Sequence, residues 1–250
     1  MNLRPASRPR EPTPRSGLAR ALSKRGYCSR SAAASLVRAG RVRVDGRVER
    51  DPEAPTTPRS RIEIDGRPLA AAARVYLALN KPRGLVTTRA DERARDTVYR
   101  CLDGADLPWL APVGRLDKAS EGLLLFTNDT AWATRITDPT QATTKIYHVQ
   151  IDRVPDAALV AALAQGVTLA DGTPLHVVAA RVLRAGERHG WLEIVLDEGR
   201  NRHIRRLLDA FEIEVLRLVR VAIGPLTLGD LTKGQWRNLT AAEVRALRRG

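Results

Sequence analysis

Residues 113–129 read VGRLDKASEGLLLFTND, in which the carboxylate of Asp117 follows a Gly-Arg-Leu and stands ahead of a run of leucines. A carboxylate just ahead of an apolar strand is expected in a loop at a sheet's end, where reactive groups are commonly mounted. Gly114 and Gly122 bracket that loop and permit tight backbone geometry. Arg115, two positions before Asp117, projects to the same side if the chain there is extended. The result is a cation and a carboxylate at one place. Residue type alone favours a plainer reading, a loop aspartate paired with a neighbouring arginine.

Two other blocks carry groups of similar interest. In LDEGRNRHIRRLLDAF (196–211), Asn201 is expected to cap a helix. Its Arg202, Arg205 and Arg206 would share one face while Ile204, Leu207 and Leu208 pack inward. Three clustered cations repel one another unless they meet phosphate or a buried carboxylate; a solvated basic helix face is the competing reading. In TKIYHVQI (144–151), strand alternation puts Lys145, Tyr147 and Val149 on one face. A tyrosine there is ordinarily half core and half surface, and stacking on a base is the sharper alternative. The four histidines show no metal-ligand spacing, and Cys28 and Cys101 are too few and too far apart for a disulfide framework.

The elements that must position these groups fall into two parts. Residues 1–75 hold 17 Lys and Arg against 7 Asp and Glu, a net of +10, and the remaining residues carry the other +4 of the total +14. So basic a first part favours a polyanionic partner. Residues 1–16, with four prolines and no apolar core, are expected to be a disordered basic tail and not a signal peptide. No apolar run approaches the ~20 residues of a membrane span. These features suggest a cytoplasmic protein without a membrane partner, taken as a monomer.

After the tail, GLARALSKRGYCSRSAAASLVRAGRVRVDGRVE predicts two short helices and a hairpin. Leu18, Ala21 and Leu22 form the apolar face of the first helix, which Gly26 ends. Ser29 or Ser31 caps the second, with Ala33, Leu36 and Val37 inward and Gly40 at its end. Asp45-Gly46 is a two-residue hairpin signal, and RIEIDG adds a further strand. The exposed side chains would be Arg20, Lys24, Arg25, Arg30, Arg38, Arg41 and Arg43, a basic face suited to RNA. Residues 66–74 read as a linker. From residue 75 the pattern turns β-rich: VYLALN, LLLFTN, KIYHVQI, LHVVAARVL, WLEIVLDEG and EVLRLVRVAIG are expected strands. Helices are expected in DTAWATRI, PDAALVAALAQG, NRHIRRLLDAF and TAAEVRALRR. The fold class is therefore α+β: a small helix-helix-hairpin domain (17–65), then a larger domain (75–250) around a mixed, mainly antiparallel sheet.

Residues 17–65 resemble the alpha-L RNA-binding motif first recognised in a small-subunit ribosomal protein. The blocks LNKPRGLVTT, PVGRLDKASEGLLLFTND, TKIYHVQI, LDEGRNRHIRRLLDAF and LRLVRVAIGPLTLGDLTKGQWRNLT, in this order, resemble the RsuA/RluB/RluE/RluF family of bacterial rRNA pseudouridine synthases. GRLDKASEGLLLFTND and EGRNR lie nearest the RluE branch, whose members often lack the alpha-L domain.

The resemblance implies an isomerase that breaks uridine's N-glycosidic bond, turns the uracil and rejoins it through carbon, without cofactor or metal. Asp117 matches the nucleophile or proton acceptor, Arg205 its cationic partner, and Tyr147 the aromatic that stacks on uracil. Arg115 matches the residue filling the gap left by the flipped nucleotide, and Leu218 a pocket wall. His203 stands where the family has Gln and reads as positional. The implied substrate is ribosomal RNA, large-subunit favoured, free or in a precursor particle. Two other readings remain: a catalytically inert ribosome-assembly factor, and a glycoside hydrolase using Asp117 and Glu121. The second would need carboxyls ~5–9 Å apart and aromatic sugar platforms, against an aromatic content of 4%.

Overall fold

A computed structural model describes residues 16–70, 72–89 and 94–248. The chain divides into two compact units, one ending at Ala73 and one beginning at Arg74.

In the first unit, helices Leu18–Lys24 and Arg30–Arg38 lie ahead of a four-stranded sheet. Ser29, not Ser31, caps the second helix: its side chain accepts from the backbone N–H of Ala32 at 3.1 Å. Strands Val42–Val44 and Arg47–Glu49 meet at Asp45-Gly46, both with positive φ (51° and 84°), the turn whose twist suits a tight hairpin. Asp65-Gly66 repeats the device between Ile62–Ile64 and Arg67–Pro68. The sheet thus runs into the segment expected to be a linker. Leu18, Leu22, Ala33, Val37, Val42, Ile62 and Ile64 close the core. The tail expected over residues 1–16 lies outside the described residues except for Ser16, which pairs with Thr56.

The second unit is built on a nine-stranded sheet. Seven strands run in the order Ala179–Ala185, Gly190–Leu196, Lys145–Ile151, Val215–Ile223, Glu121–Thr127, Tyr76–Lys81 and Trp236–Asn238, with Leu226–Thr227 and Ala111–Val113 attached at the side. Every pairing is antiparallel but one: Val215–Ile223 runs parallel to Glu121–Thr127. The LLLF run explains that strand's central position. Leu123 and Leu125 pack to one face and Leu124 and Phe126 to the other, all fully buried. A strand covered on both sides needs a continuous apolar run rather than an alternating one.

Helices Thr130–Thr137 and Ala241–Ala246 cover the core that contains Leu123 and Leu125, with Trp132, Ile136 and Val244. Ala157–Gln165 and His203–Asp209 cover a second core around Val149, Ile151, Leu192 and Ile194.

Two sequence expectations are corrected. LHVVAARVL is not one strand: Pro174–Leu175 pairs with Val167–Thr168, and Ala179–Ala185 starts anew at the sheet edge. Asn201 does not cap the following helix; Arg202 occupies the N-cap in the left-handed region (φ 51°), with no side-chain cap. Among the described residues no helix is long and apolar enough to cross a membrane.

Candidate active site

Asp117 lies in the loop joining Ala111–Val113 to Glu121–Thr127, and that loop is tied down from several directions. Most ties come from the LNKPRGLVTT block. Lys81, at the end of the Tyr76–Lys81 strand and fully buried, donates from Nζ to the carbonyl oxygens of Asp117 (3.1 Å), Ser120 (2.8 Å) and Pro82 (3.1 Å). Gly84 N–H donates to Lys118 O at 2.8 Å. Thr87 Oγ1 donates to Leu116 O at 2.7 Å and accepts from Leu116 N–H at 3.3 Å. Burial pushes the Lys81 pKa down to about 8, the nearby Asp117 and Glu121 charges resisting the shift. The sequence reading passed over Lys81; a lysine closing the apolar strand VYLALN was the available signal.

Arg205 supplies the tie from the opposite side. Its Nη2 donates to Ala119 O at 3.2 Å and its Nη1 to Val215 O at 3.1 Å, while the buried Nε has no hydrogen-bond partner. Among the described residues it makes no ion pair with Asp117. Burial, then repulsion from Arg202, lowers its pKa, and the charge of Asp117 opposes that shift. The expected cation at the aspartate is therefore present as a clamp on the backbone two residues away.

Behind the loop the sheet closes tightly. Gly122 has φ +101°, and a Cβ there would stand 2.3 Å from the carbonyl oxygen of Arg220 on the parallel neighbour strand. Only glycine fits.

The loop borders a cleft of about 540 Å³, a size suited to a nucleotide-scale ligand, while Lys81 and Arg205 stand behind its lining. Asp117 and Arg115 line it together with Tyr147 and Leu218, the expected aromatic and apolar wall. Arg115 is exposed and Leu218 buried. Lys145, on Tyr147's own strand, and Arg220, paired opposite Tyr147 on the neighbouring strand, also line the cleft. At the rim, Arg202 lines the cleft and is exposed, but Arg206 points elsewhere and binds Asp171 at 2.8 Å. The three arginines of that helix thus serve three purposes and do not form one cationic face. His203 is 3% exposed; its Nδ1 lies 3.1 Å from Glu198 Oε1, out of line for a hydrogen bond. Burial lowers its pKa, and it lines the cleft as an almost wholly enclosed side chain.

Glu121, the second carboxylate a hydrolase would need, does not line the cleft. It is bound by Arg217 at 3.2 Å and Lys233 at 2.5 Å. Burial works against its charge, but those two partners prevail and hold its pKa below the ordinary value. Among the described residues no group of three or more His, Cys, Asp or Glu could hold a metal ion.

In the first unit, the expected RNA-facing cations divide into two sets. Arg30 binds Glu53 at 3.0 Å, Arg41 forks onto Asp65, and Arg25 donates to Ser60 O at 3.3 Å. Arg20, Lys24, Arg38 and Arg43 are exposed and make no ion pair among the described residues.

Residues 75–210 match the RNA pseudouridylate synthase family and residues 17–62 the S4 domain. The chain belongs to the RNA pseudouridine synthase family. It is an isomerase carrying an RNA-binding S4 domain. An uncharacterized RNA pseudouridine synthase of Mycobacterium leprae is 39% identical over 236 residues, 92% of this chain and 91% of that one. The Aquifex aeolicus relative of the same description is 37% identical over 231 residues, 90% and 91% of the two chains. Ribosomal large subunit pseudouridine synthase B of Escherichia coli K12 is 37% identical over 244 residues, 92% of this chain and 81% of the enzyme. A crystal structure of a pseudouridylate synthase superposes with a TM-score of 0.65 at 26% identity, over 93% of this chain and 99% of the other. The RluE branch stays an expectation; the subunit-specific enzyme among these relatives is synthase B.

Proposed function

We propose that the protein converts one uridine of large-subunit ribosomal RNA to pseudouridine, with Asp117 as the reacting carboxylate. The observation that carries the reading is the clamp on the Asp117 loop: Lys81 and Arg205 grip backbone carbonyls at Asp117, Ala119 and Ser120 from two sides. A reacting group held this rigidly loses little freedom on reaching the transition state. Asp117 acts at the ribose or the base as the glycosidic bond breaks. Tyr147 stacks on the uracil against Leu218, and Arg115 fills the gap in the RNA after the nucleotide leaves the stack. Arg202 and the unengaged S4 cations Arg20, Lys24, Arg38 and Arg43 hold phosphates. Arg25, Arg30, Arg41 and Arg206, tied to protein partners, give shape to those surfaces. The bacterial relatives named above act in the company of ribosomal RNA by name only in the case of synthase B, and this supports the large subunit as substrate and the cytoplasm as the place of action. The domain limits that fit this division of labour are 17–65 for RNA binding and 75–250 for catalysis.

The test uses unmodified large- and small-subunit rRNA tritiated at uracil C5, the carbon that becomes bonded to ribose. Tritium release from the large-subunit RNA alone is expected. Release only from the small-subunit RNA would overturn the assignment of subunit, and release from neither would overturn the substrate.

A further inference from the structure

Arg220 is a buried cation beside Tyr147. It is 6% exposed in the Val215–Ile223 strand, paired opposite Tyr147 on one side and Gly122 on the other, and it lines the cleft. Its Nε donates to Leu123 O at 2.8 Å, which fixes the guanidinium, while Nη2 is buried without a hydrogen-bond partner. Lys145 stands beside it, donating to Asp197 O at 3.3 Å, and its pKa is lowered by burial and by the Arg220 charge. Arg220 likewise helps to lower the pKa of Lys81 on its other side.

A buried guanidinium between two lysines, with a donor left over, is costly unless something negative joins it. No carboxylate of the protein does so among the described residues. The deep position favours a flat base over a phosphate, whose backbone would have to follow it in; exposed Arg115 and Arg202 at the rim are better placed for phosphates.

We propose that the Arg220 guanidinium, which lines the cleft, donates to a carbonyl oxygen of the flipped uracil and stabilises the charge that develops there. The inference rests on the uridine isomerisation proposed above. When the C1′–N1 bond breaks, its electron pair passes to the uracil and spreads over N1, O2 and O4. A C1′–C5 bond then forms, the C5 proton leaves, and N1 takes up a proton, with no net change in electrons. A fixed donor aimed at the oxygen gaining charge lowers the barrier to the first step without having to reorganise.

The test pairs a side-chain change with an atom change. Wild type and Arg220→Lys act on large-subunit rRNA transcribed with uridine, 2-thiouridine or 4-thiouridine, and pseudouridine or its thio analogue is quantified by nucleoside chromatography under single turnover. Wild type is expected to slow about 10-fold or more with one of the two thio substrates, since sulfur accepts weakly. Arg220→Lys is expected to be about 100-fold slower on uridine and to show no further loss with that same substrate. Effects of sulfur on RNA folding, or of the variant on protein folding, act alike in both arms and cancel in the comparison. Equal loss in both proteins, or no loss by wild type with either thio substrate, would overturn the contact while leaving the isomerase reading intact. A wild type inactive on uridine itself would remove the isomerase reading, and the contact with it.

Discussion

Lys81 Nζ stands 3.1 Å from the carbonyl oxygen of Asp117, a residue 36 positions later in the chain. The bond joins the end of one strand to the loop before the next, and two further carbonyls complete the ammonium's shell. A lysine that exists to hold backbone oxygens is sensitive to the loss of one proton.

That sensitivity predicts a pH signature. With its pKa at about 8 in the fold against 10.5 when free, Lys81 deprotonates earlier folded than unfolded. Between those two values the unfolded chain binds the additional proton, so stability rises with pH, by on the order of 3 kcal/mol if the whole shift is expressed. Below about pH 8 this contribution is absent. Melting curves of wild type and Lys81→Met from pH 7 to 10 should diverge above pH 8, wild type gaining on the variant. The neutral amine has one donor fewer for its three carbonyls, so the turnover rate of wild type is expected to fall over the same range.

Arg205 predicts a different pattern. Arg205→Lys cannot reach Ala119 O and Val215 O together, because lysine is a point charge and not a fork. The single-turnover rate should fall about 100-fold while RNA affinity, measured by filter binding, changes less than about threefold.

Gly122→Ala tests the parallel strand pair. The added Cβ meets Arg220 O at 2.3 Å on a backbone of positive φ. Strain and overpacking together should cost about 2–4 kcal/mol, read as a lower denaturant midpoint.

The S4 unit offers a salt test. Alanine at Arg20, Lys24, Arg38 or Arg43 should weaken RNA binding and reduce the slope of log affinity against log salt by about one each. Alanine at Arg30 or Arg41, whose charges are met by Glu53 and Asp65, should change the slope less.

What the sequence shows and what it conceals divide along the range of the interaction. Local rules found the Asp45-Gly46 hairpin, the strand LLLF and the loop bracketed by Gly114 and Gly122, since each depends on residues a few positions apart. The spacing of Arg202, Arg205 and Arg206 suggested one basic face, but Asp171 draws away Arg206, and Ala119 and Val215 engage Arg205. Those partners lie 35, 86 and 10 residues distant, and helical periodicity carries no trace of them. Asn201 failed as a cap because Arg202 takes the left-handed conformation that sets the helix start. Lys81 and Arg220 were hidden for a related reason: on a strand each reads as an ordinary cation, and only the fold shows them buried.

Asp117→Ala tests most directly whether Asp117 does the chemistry. Among the described residues the carboxylate makes no hydrogen bond; the backbone carbonyls hold the loop, so the variant should fold and bind RNA as wild type does. With large-subunit rRNA tritiated at uracil C5, wild type is expected to release tritium and Asp117→Ala to release none above background. Release by the variant at a rate within about tenfold of wild type would contradict the account.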